Sequence, residues 1–320
     1  FFMSNQQPNI VMIVLDTHRV DRLSCYGYSK KTSPNIDHFS DGATIYQNAI
    51  SPAQWTIPAH ASMFTGEYPS YHQTIQASHA LSADKKTFIE ILSENGYDTY
   101  GFCNNPLVGV LNNGLRRGFK GFYNYGGAVL SPYERPEEIR KPSHQLKRIF
   151  QKIIQPIATP IQQKVADSAD VFQFILNPRI VALWTRHANF KGDTGRSLRD
   201  AYYLFSKTNQ NKQNSPQFFF INLMGTHLPY TPPRRFMKKF AENVLESPET
   251  KQFINFYNTQ ALKWLLPLHE PYPPSEFEAL SAMYDAEVAY QDHLLQQFLA
   301  LLSTEYHKEN TMVIIVSDHG

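Results

Sequence analysis

The sequence predicts an α/β fold, a mostly parallel sheet flanked by helices, on three observations. Asn9–Leu15, Phe218–Leu223 and Thr311–Ser317 are short, continuously apolar runs rich in β-branched or aromatic residues, the pattern of strands buried on both faces. Between them lie stretches with helical periodicity and helix-ending glycines. Each apolar run also ends on polar, chemistry-bearing residues, and in open α/β sheets ligands sit outside the carboxyl ends of the strands. At 320 residues the chain has room for two average domains or one large α/β domain with insertions, and its 42% hydrophobic content suffices for a sizeable core.

The first strand, Asn9–Leu15, ends on Asp16, which reads either as a turn cap or as a site acid. A polar loop from Thr17 closes on the turn at Gly27. Pro34–Phe39 then reads as a short helix and Thr44–Ala49 as a short strand. The stretch from Ser51 to Gly66 follows. Pro58, Ala59 and Ala61 suit a first helical turn and Gly66 its end, which puts Thr56 at or just before the cap. Taken alone, Thr56 reads as a cap, although a hydroxyl there also faces the anion-attracting end of a helix.

Thr87–Asn95 predicts a helix stopped by Gly96, and Thr99–Cys103 a strand whose carboxyl end carries Asn104-Asn105-Pro106 back to the same sheet edge. Asn112–Gly127, rich in Gly, Asn and aromatics, reads as irregular surface. Residues 133–214, broken by Pro142, Pro156, Pro160 and Pro178, read as a helical insertion covering one side of the sheet, with Lys207–Ser215 as polar linker. Phe218–Leu223 leads directly into Met224-Gly225-Thr226-His227. The basic stretch from Arg234 to Lys239 opens a variable, exposed segment to about Pro274, and Glu276–Leu302 is a long amphipathic helix. Its Asp285 and Asp292 share one face, expected to be solvated or to anchor loops. The last strand ends on Asp318-His319-Gly320.

Charge and composition exclude several classes. The net charge of +2, from 30 basic and 28 acidic residues, leaves no basic stripe of the kind nucleic acid requires, so no nucleic-acid partner is expected. Cys25 and Cys103 stand far apart and outside any zinc or disulfide spacing. The apolar run Ile10–Leu15 is too short for a leader, and Val171–Trp184 is interrupted by Asn177, Pro178 and Arg179. A reducing, cytoplasmic setting with no membrane span is therefore expected from the sequence given. Phe1-Phe2 ahead of Met3, and the end at Gly320, mark points where a leader or further domain is expected to be missing. Oligomeric state is left open.

Asp16, Thr56, Asp318 and His319 together supply two carboxylates, a hydroxyl and a ring nitrogen, all at strand or helix ends that converge on one sheet edge. This donor set suits a divalent cation, Mn²⁺, Zn²⁺, Mg²⁺ or Ca²⁺, with the histidine favouring the first two. Coordination would lower the pKa of the Thr56 hydroxyl and make it a nucleophile towards an anionic ester.

At these residues the chain resembles the sulfatase branch of the alkaline phosphatase superfamily. The resemblance rests on Val14-Leu15-Asp16-Thr17-His18-Arg19, on Thr56-Ile57-Pro58-Ala59-His60 with Met63 to Pro69, on Gly225 to Tyr230, on Tyr284-Asp285-Ala286-Glu287, and on Ser317-Asp318-His319-Gly320. It implies an alkaline-phosphatase-like mixed, mostly parallel sheet with the site at its edge, one catalytic domain over residues 9–320, and further sheet strands and cationic site residues after Gly320. The departures are informative. Typical sulfatases carry Cys or Ser where Thr56 stands and oxidise it to formylglycine; threonine would give a ketone, so that route is closed. The family arginine is replaced by His60, the acid pair after the first strand is reduced to Asp16-Thr17, and the Asp-Asn metal pair becomes Asp318-His319. These features are similar to phosphoglycerol and phosphoethanolamine transferases and to phosphonate monoester hydrolases.

The resemblance implies in-line attack by Thr56 on a phosphate, phosphonate or sulfate ester of a small molecule, lipid or glycan, with phosphoesters favoured. His227 or a water would protonate the leaving alcohol. His60 would hold an ester oxygen, and Arg19 and His72 are weaker candidates for the same shell. Two other readings stand beside it: a sulfuric ester hydrolase that works without formylglycine, and a non-catalytic binding member of the family.

Overall fold

The computed structural model describes residues 7–126, 136, 191–210, 215–259 and 271–320. The chain opens with β1 (Asn9–Leu15) and continues through the short helices α1 (Pro34–Ser40), α2 (Thr56–Thr65), α3 (Pro69–His72) and α4 (Phe88–Glu94). Then come β2 (Asp98–Cys103), α5 (Pro106–Gly109) and β3 (Gly121–Asn124), followed by α6 (Thr194–Gln210) and β4 (Gln217–Leu223). The last part holds α7 (Arg234–Phe240), α8 (Glu242–Glu246), α9 (Pro248–Thr259), α10 (Pro274–Leu302), α11 (Glu305–Asn310) and β5 (Thr311–Val316).

The five strands form one sheet in the order β3-β2-β4-β1-β5, and every pairing among them is parallel. All five carboxyl ends therefore lie on one edge. Alternation along the strands splits the core into two layers. Val11, Ile13, Leu15, Phe219 and Ile221 pack with Leu198 and Phe205 of α6 and with Leu295, Phe298 and Leu299 of α10. Met12, Val14, Phe218 and Phe220 face Ala61 and Phe64 of α2 and Ile89 of α4. Both faces of β1 and β4 are thus covered, which is why these strands are continuously apolar in sequence.

Several local signals act as expected. Thr87 and Glu90 form a capping box at the start of α4, and Gly66, with φ 72°, closes α2 in the left-handed conformation glycine adopts at no steric cost. Of the segment 133–214, residues 194–210 are α6, which covers one face of the sheet; residues 133–135, 137–190 and 211–214 lie outside the described residues. Lys207–Gln210, read as linker, continue α6.

Three expectations need correction, and a fourth, left between two readings, is decided. Thr44–Ala49 is no strand: it pairs with no strand among the described residues, and Tyr46 stands 72% exposed. Asn112–Gly127 is not irregular surface, because it carries Leu115 into the core and contributes β3. Glycine content hid that strand. Gly121 lies opposite Tyr100 and Gly101 opposite Phe122, and a Cβ on Gly101 would come within 2.5 Å of the Phe122 ring, so each glycine makes room for an aromatic ring on the neighbouring strand. The segment after Pro233 forms α7 to α9, which bury Ala241, Val244 and Ile254 against Ala279 and Met283 of α10. Asp285 and Asp292 are buried, which decides for the loop-anchoring reading over the solvated one. Asp285 receives Arg22, Tyr28 and Lys30, and Asp292 accepts the amides of Asn35 and Ile36, so α10 anchors the loops after β1.

No helix among the described residues is long and apolar enough to cross a membrane. Cys25 and Cys103 are free thiols.

Candidate active site at the carboxyl edge of the sheet

Parallel pairing delivers Asp16 from β1, Asn104-Asn105 from β2, the loop beginning at Met224 from β4 and Ser317-Asp318-His319 from β5 to one edge, and α2 begins there. Asp16 and Asp318 are fully buried, and one ligand atom from each of Asp16, Asp318 and His319 lies within 4.8 Å of the others. Asp16 Oδ1, Asp318 Oδ2 and His319 Nε2 are buried without a hydrogen-bond partner. Leaving such atoms unsatisfied costs about 1–3 kcal/mol each, more for charged groups. Three of them facing one point form a donor set that fits a divalent cation.

The remaining oxygens are held in place. Asp318 Oδ1 accepts the Thr17 amide at 3.1 Å and the His319 amide at 2.8 Å. To present its amide, Thr17 adopts φ 56°, a left-handed conformation that is strained for a β-branched residue. The strain is held from α10, where the Tyr284 hydroxyl donates to the Thr17 carbonyl at 2.7 Å and accepts the Arg19 amide at 2.8 Å. Thr226 Oγ1 donates to the Asp16 carbonyl at 2.8 Å, tying the β4 loop to β1.

Electrostatics points the same way. Burial, reinforced by the charge of Asp16, pushes the Asp318 carboxyl up to about 8, because two carboxylates cannot both ionise cheaply in a closed site. Burial lowers His319 and keeps the imidazole neutral, the form in which it donates a lone pair to a metal.

Thr56 is the first residue of α2, not a cap before it: Trp55 occupies the cap position and no side chain caps the helix. Its Oγ1 accepts a hydrogen bond from Asn105 Nδ2 at 3.2 Å, and the same amide nitrogen donates to Asp16 Oδ2 at 2.6 Å. Asn105 thus ties the hydroxyl to the carboxylate cluster. Sequence reasoning did not single it out. The one signal was that Asn104-Asn105-Pro106 falls at the carboxyl end of β2, and Pro106 starts α5 with the Asn105 side chain as its cap.

His60 is fully buried one turn below Thr56. Its Nδ1 donates to the Thr56 carbonyl at 2.9 Å and its Nε2 accepts from Asn222 Nδ2 at 3.3 Å. With both nitrogens engaged and no exposed surface, the ring cannot hold an ester oxygen as expected; it braces the first turn of α2 against β4. Asn222 Oδ1 also accepts the Asn105 amide at 3.2 Å, so one β4 side chain fixes both neighbours of Thr56. His72 is likewise buried, bonded through Nε2 to Ser62 Oγ at 2.9 Å and through Nδ1 to the Thr74 amide. The Arg19 guanidinium is half-exposed and paired with Asp21 at 2.7 Å, although its stem lies against Gly320 beside the cluster.

His227 is half-buried, and Nδ1 donates to the Leu228 carbonyl at 2.7 Å. Its loop is fixed at both ends by one buried ion pair. Lys191 Nζ donates to the Gly225 carbonyl at 2.8 Å and to Glu287 Oε1 at 2.6 Å, and Glu287 Oε1 also accepts the Thr231 amide.

Burial also lowers His18 and His60, each to about 4. An unfolded histidine protonates near 6.5, whereas these two stay neutral in the folded protein down to about 4. Their contribution is therefore present above pH 6.5 and lost as pH falls through 4, at a cost of about 3 kcal/mol per histidine. Melting temperatures of the chelated protein are expected to fall steadily across that window; a flat profile contradicts the assignment.

Fold and site together define a class: a parallel α/β domain whose strand ends assemble two carboxylates and an imidazole beside a helix-borne hydroxyl. The sulfatase family model matches residues 8–320, and the chain belongs to the sulfatase family. An arylsulfatase of Clostridium perfringens (strain 13 / Type A) is 23% identical over 98% of this chain and 63% of its own length. Among solved structures, the phosphonate monoester hydrolase of Agrobacterium radiobacter superposes with a TM-score of 0.57 at 17% identity, covering 98% of this chain and 63% of that one. A protein in complex with its substrate D-glucosamine-2-N,6-O-disulfate gives 0.58 at 14% identity, over 98% and 65%. The two structures share the fold, and the chain spans less than two thirds of the length of each of these three proteins.

Proposed function

We propose that this chain carries the catalytic domain of a metal-dependent hydrolase or transferase that acts on a phosphate, phosphonate or sulfate ester through a covalent Thr56 intermediate, with phosphoesters favoured. The observation that carries the reading is the cluster of three unpartnered ligand atoms, Asp16 Oδ1, Asp318 Oδ2 and His319 Nε2, with Thr56 Oγ1 bridged to it by Asn105. Asp16, Asp318, His319 and Thr56 would hold a divalent cation, Mn²⁺, Zn²⁺, Mg²⁺ or Ca²⁺. Such an ion lowers the pKa of the Thr56 hydroxyl and neutralises charge on the ester oxygens.

The rest falls to the protein. Asn105 Nδ2 orients Thr56 Oγ1, and His60 and Asn222 fix the backbone that carries it. Thr56 Oγ1 attacks phosphorus or sulfur in line. The bond to the alcohol breaks, and His227 Nε2 protonates the departing oxygen. Water or an acceptor hydroxyl then releases the group from Thr56. Residues 9–320 act as one catalytic domain, with 133–214 inserted in it. The two free thiols fit a reducing compartment.

Phosphoesters are favoured because threonine cannot become formylglycine, which gives sulfatases a way to release sulfate that an ordinary alkoxide lacks. A sulfuric ester hydrolase is the second reading, supported by the match to the arylsulfatase of Clostridium perfringens. An aryl ester panel with each of the four metals separates the readings. Higher kcat/KM on the phosphodiester or phosphonate than on the sulfate is expected. Sulfate as the best substrate supports the second reading, and no turnover together with no bound metal leaves a binding protein.

A further inference from the structure

Thr17 follows Asp16 directly, and its amide donates to Asp318 Oδ1 at 3.1 Å from a backbone held at φ 56°. That left-handed conformation crowds Cβ against the carbonyl, most of all in a β-branched residue, so something outside Thr17 has to keep it there. The Thr17 hydroxyl does not. It donates to the Asp16 carbonyl at 2.7 Å, but that carbonyl has a second donor in Thr226 Oγ1 at 2.8 Å.

The restraint comes from α10. Tyr284 lies 267 residues beyond Thr17, and its hydroxyl stands between the two peptide groups that flank the turn. It donates to the Thr17 carbonyl at 2.7 Å and accepts the Arg19 amide at 2.8 Å. One hydroxyl makes both bonds only while the two groups are held one oxygen apart, and that spacing fixes the turn. The phenol is itself buried, with the Tyr230 ring edge-on at 5.7 Å between centroids. Asp285, the next residue, receives Arg22, Tyr28 and Lys30, so α10 grips the same loop again a few residues on.

Asp318 depends on this arrangement. Its Oδ1 has two donors, the amides of Thr17 and His319. The His319 amide is local and turns with Asp318, whereas the Thr17 amide ties the carboxylate to the end of β1. With Oδ1 tied there, the unpartnered Oδ2 stands 3.5 Å from His319 Nε2, in the cluster that also includes Asp16. We infer that Tyr284 is a positioning residue for the metal: by holding Thr17 left-handed it sets the Asp318 carboxylate, and with it the affinity of the site for a divalent cation. The inference rests on the proposed metal-dependent chemistry and extends it to a side chain outside the ligand set.

The test uses full-length protein stripped with chelator and titrated calorimetrically with Mn²⁺, Zn²⁺, Mg²⁺ and Ca²⁺, the tightest of which serves for every variant. Tyr284→Phe keeps the ring and removes the hydroxyl. Its Kd is expected to rise about tenfold, the low end of what losing a ligand-supporting partner costs. Glycine takes the left-handed conformation with no Cβ to crowd, so Tyr284→Phe/Thr17→Gly is expected to return to within about threefold of wild type. Valine lacks the threonine hydroxyl as glycine does but keeps the β-branch, so Tyr284→Phe/Thr17→Val is expected to stay about tenfold weaker or worse. Melting temperatures in chelator report the fold of each variant. A Tyr284 that only stabilised the fold would gain nothing from glycine, the more flexible residue. At saturating metal, kcat of Tyr284→Phe is expected within about threefold of wild type, as a loss confined to metal affinity requires. Where Tyr284→Phe is too unstable to titrate alone, the two double variants decide, and glycine must bind at least about fivefold more tightly than valine. An unchanged Kd in Tyr284→Phe, recovery that is not specific to glycine, or a kcat deficit that added metal does not remove overturns the inference and leaves the metal-dependent reading standing. Wild type that binds none of the four ions overturns both.

Discussion

Thr56→Ala is expected to lower kcat by roughly three to six orders of magnitude, the range seen when a covalent nucleophile is removed. The fold should survive. Thr56 is buried at the start of α2, its hydroxyl accepts one described hydrogen bond, from Asn105, and losing that bond costs about 1 kcal/mol. Thr56→Ser restores the hydroxyl at the same place and should recover most of the activity. The pair of variants separates nucleophile from helix start. If Thr56 only began α2, alanine, a good helix former, would leave turnover near wild type. Asn105→Ala tests the same geometry from the other side. It should slow turnover less than Thr56→Ala does, because it removes the group that aims the hydroxyl and leaves the hydroxyl itself.

Asp318→Asn is expected to abolish turnover and weaken divalent-cation affinity at least about a hundredfold, since changes to groups that merely support a ligand already cost 10- to 100-fold. The amide oxygen can still accept the Thr17 and His319 amides, so local structure has a way to persist. Stability should move in opposite directions with and without metal. In chelator, the variant removes the Asp318 carboxyl, which burial and the neighbouring Asp16 charge push up, and it should melt no lower than wild type. With saturating metal, wild type gains about 2.7 kcal/mol at a hundredfold excess over Kd, and the variant gains little. Calorimetric melts in the two conditions check this. Equal metal-induced shifts in both proteins would remove Asp318 from the ligand set.

Much of the fold was legible because the strands are buried on both faces. Continuous runs such as Val11–Leu15 and Phe218–Leu223 have few alternative placements, and Asp16 and Asp318, at the ends of the first and last strands, mark the sheet edge. β3 was not legible, since its Gly121 makes room for the Tyr100 ring of β2 and the strand carries no β-branched residue. Thr44–Ala49 has the pattern of a strand but no neighbour among the described residues to pair with, and pairing is not a local property. At the site, the residues that carry charge or a nucleophilic oxygen announced themselves by type and by position at strand ends. The supporting ones did not. Asn105 and Asn222 are ordinary polar residues until the sheet places them beside Thr56 and His60. His60 itself was assigned to substrate because of its place in the motif, whereas burial shows it bracing α2 from below. Which nitrogen faces which carbonyl is decided by packing across the whole chain.

The most direct test of the central claim, that Thr56 takes the transferred group, is a chemical quench during turnover of the best ester in the panel, followed by peptide mass spectrometry. The account predicts a peptide covering Trp55 to Gly66 that is heavier by one phosphoryl or sulfuryl group, with the modification on Thr56 and absent from Thr56→Ala. Modification of another residue, or turnover that persists in Thr56→Ala, would contradict it.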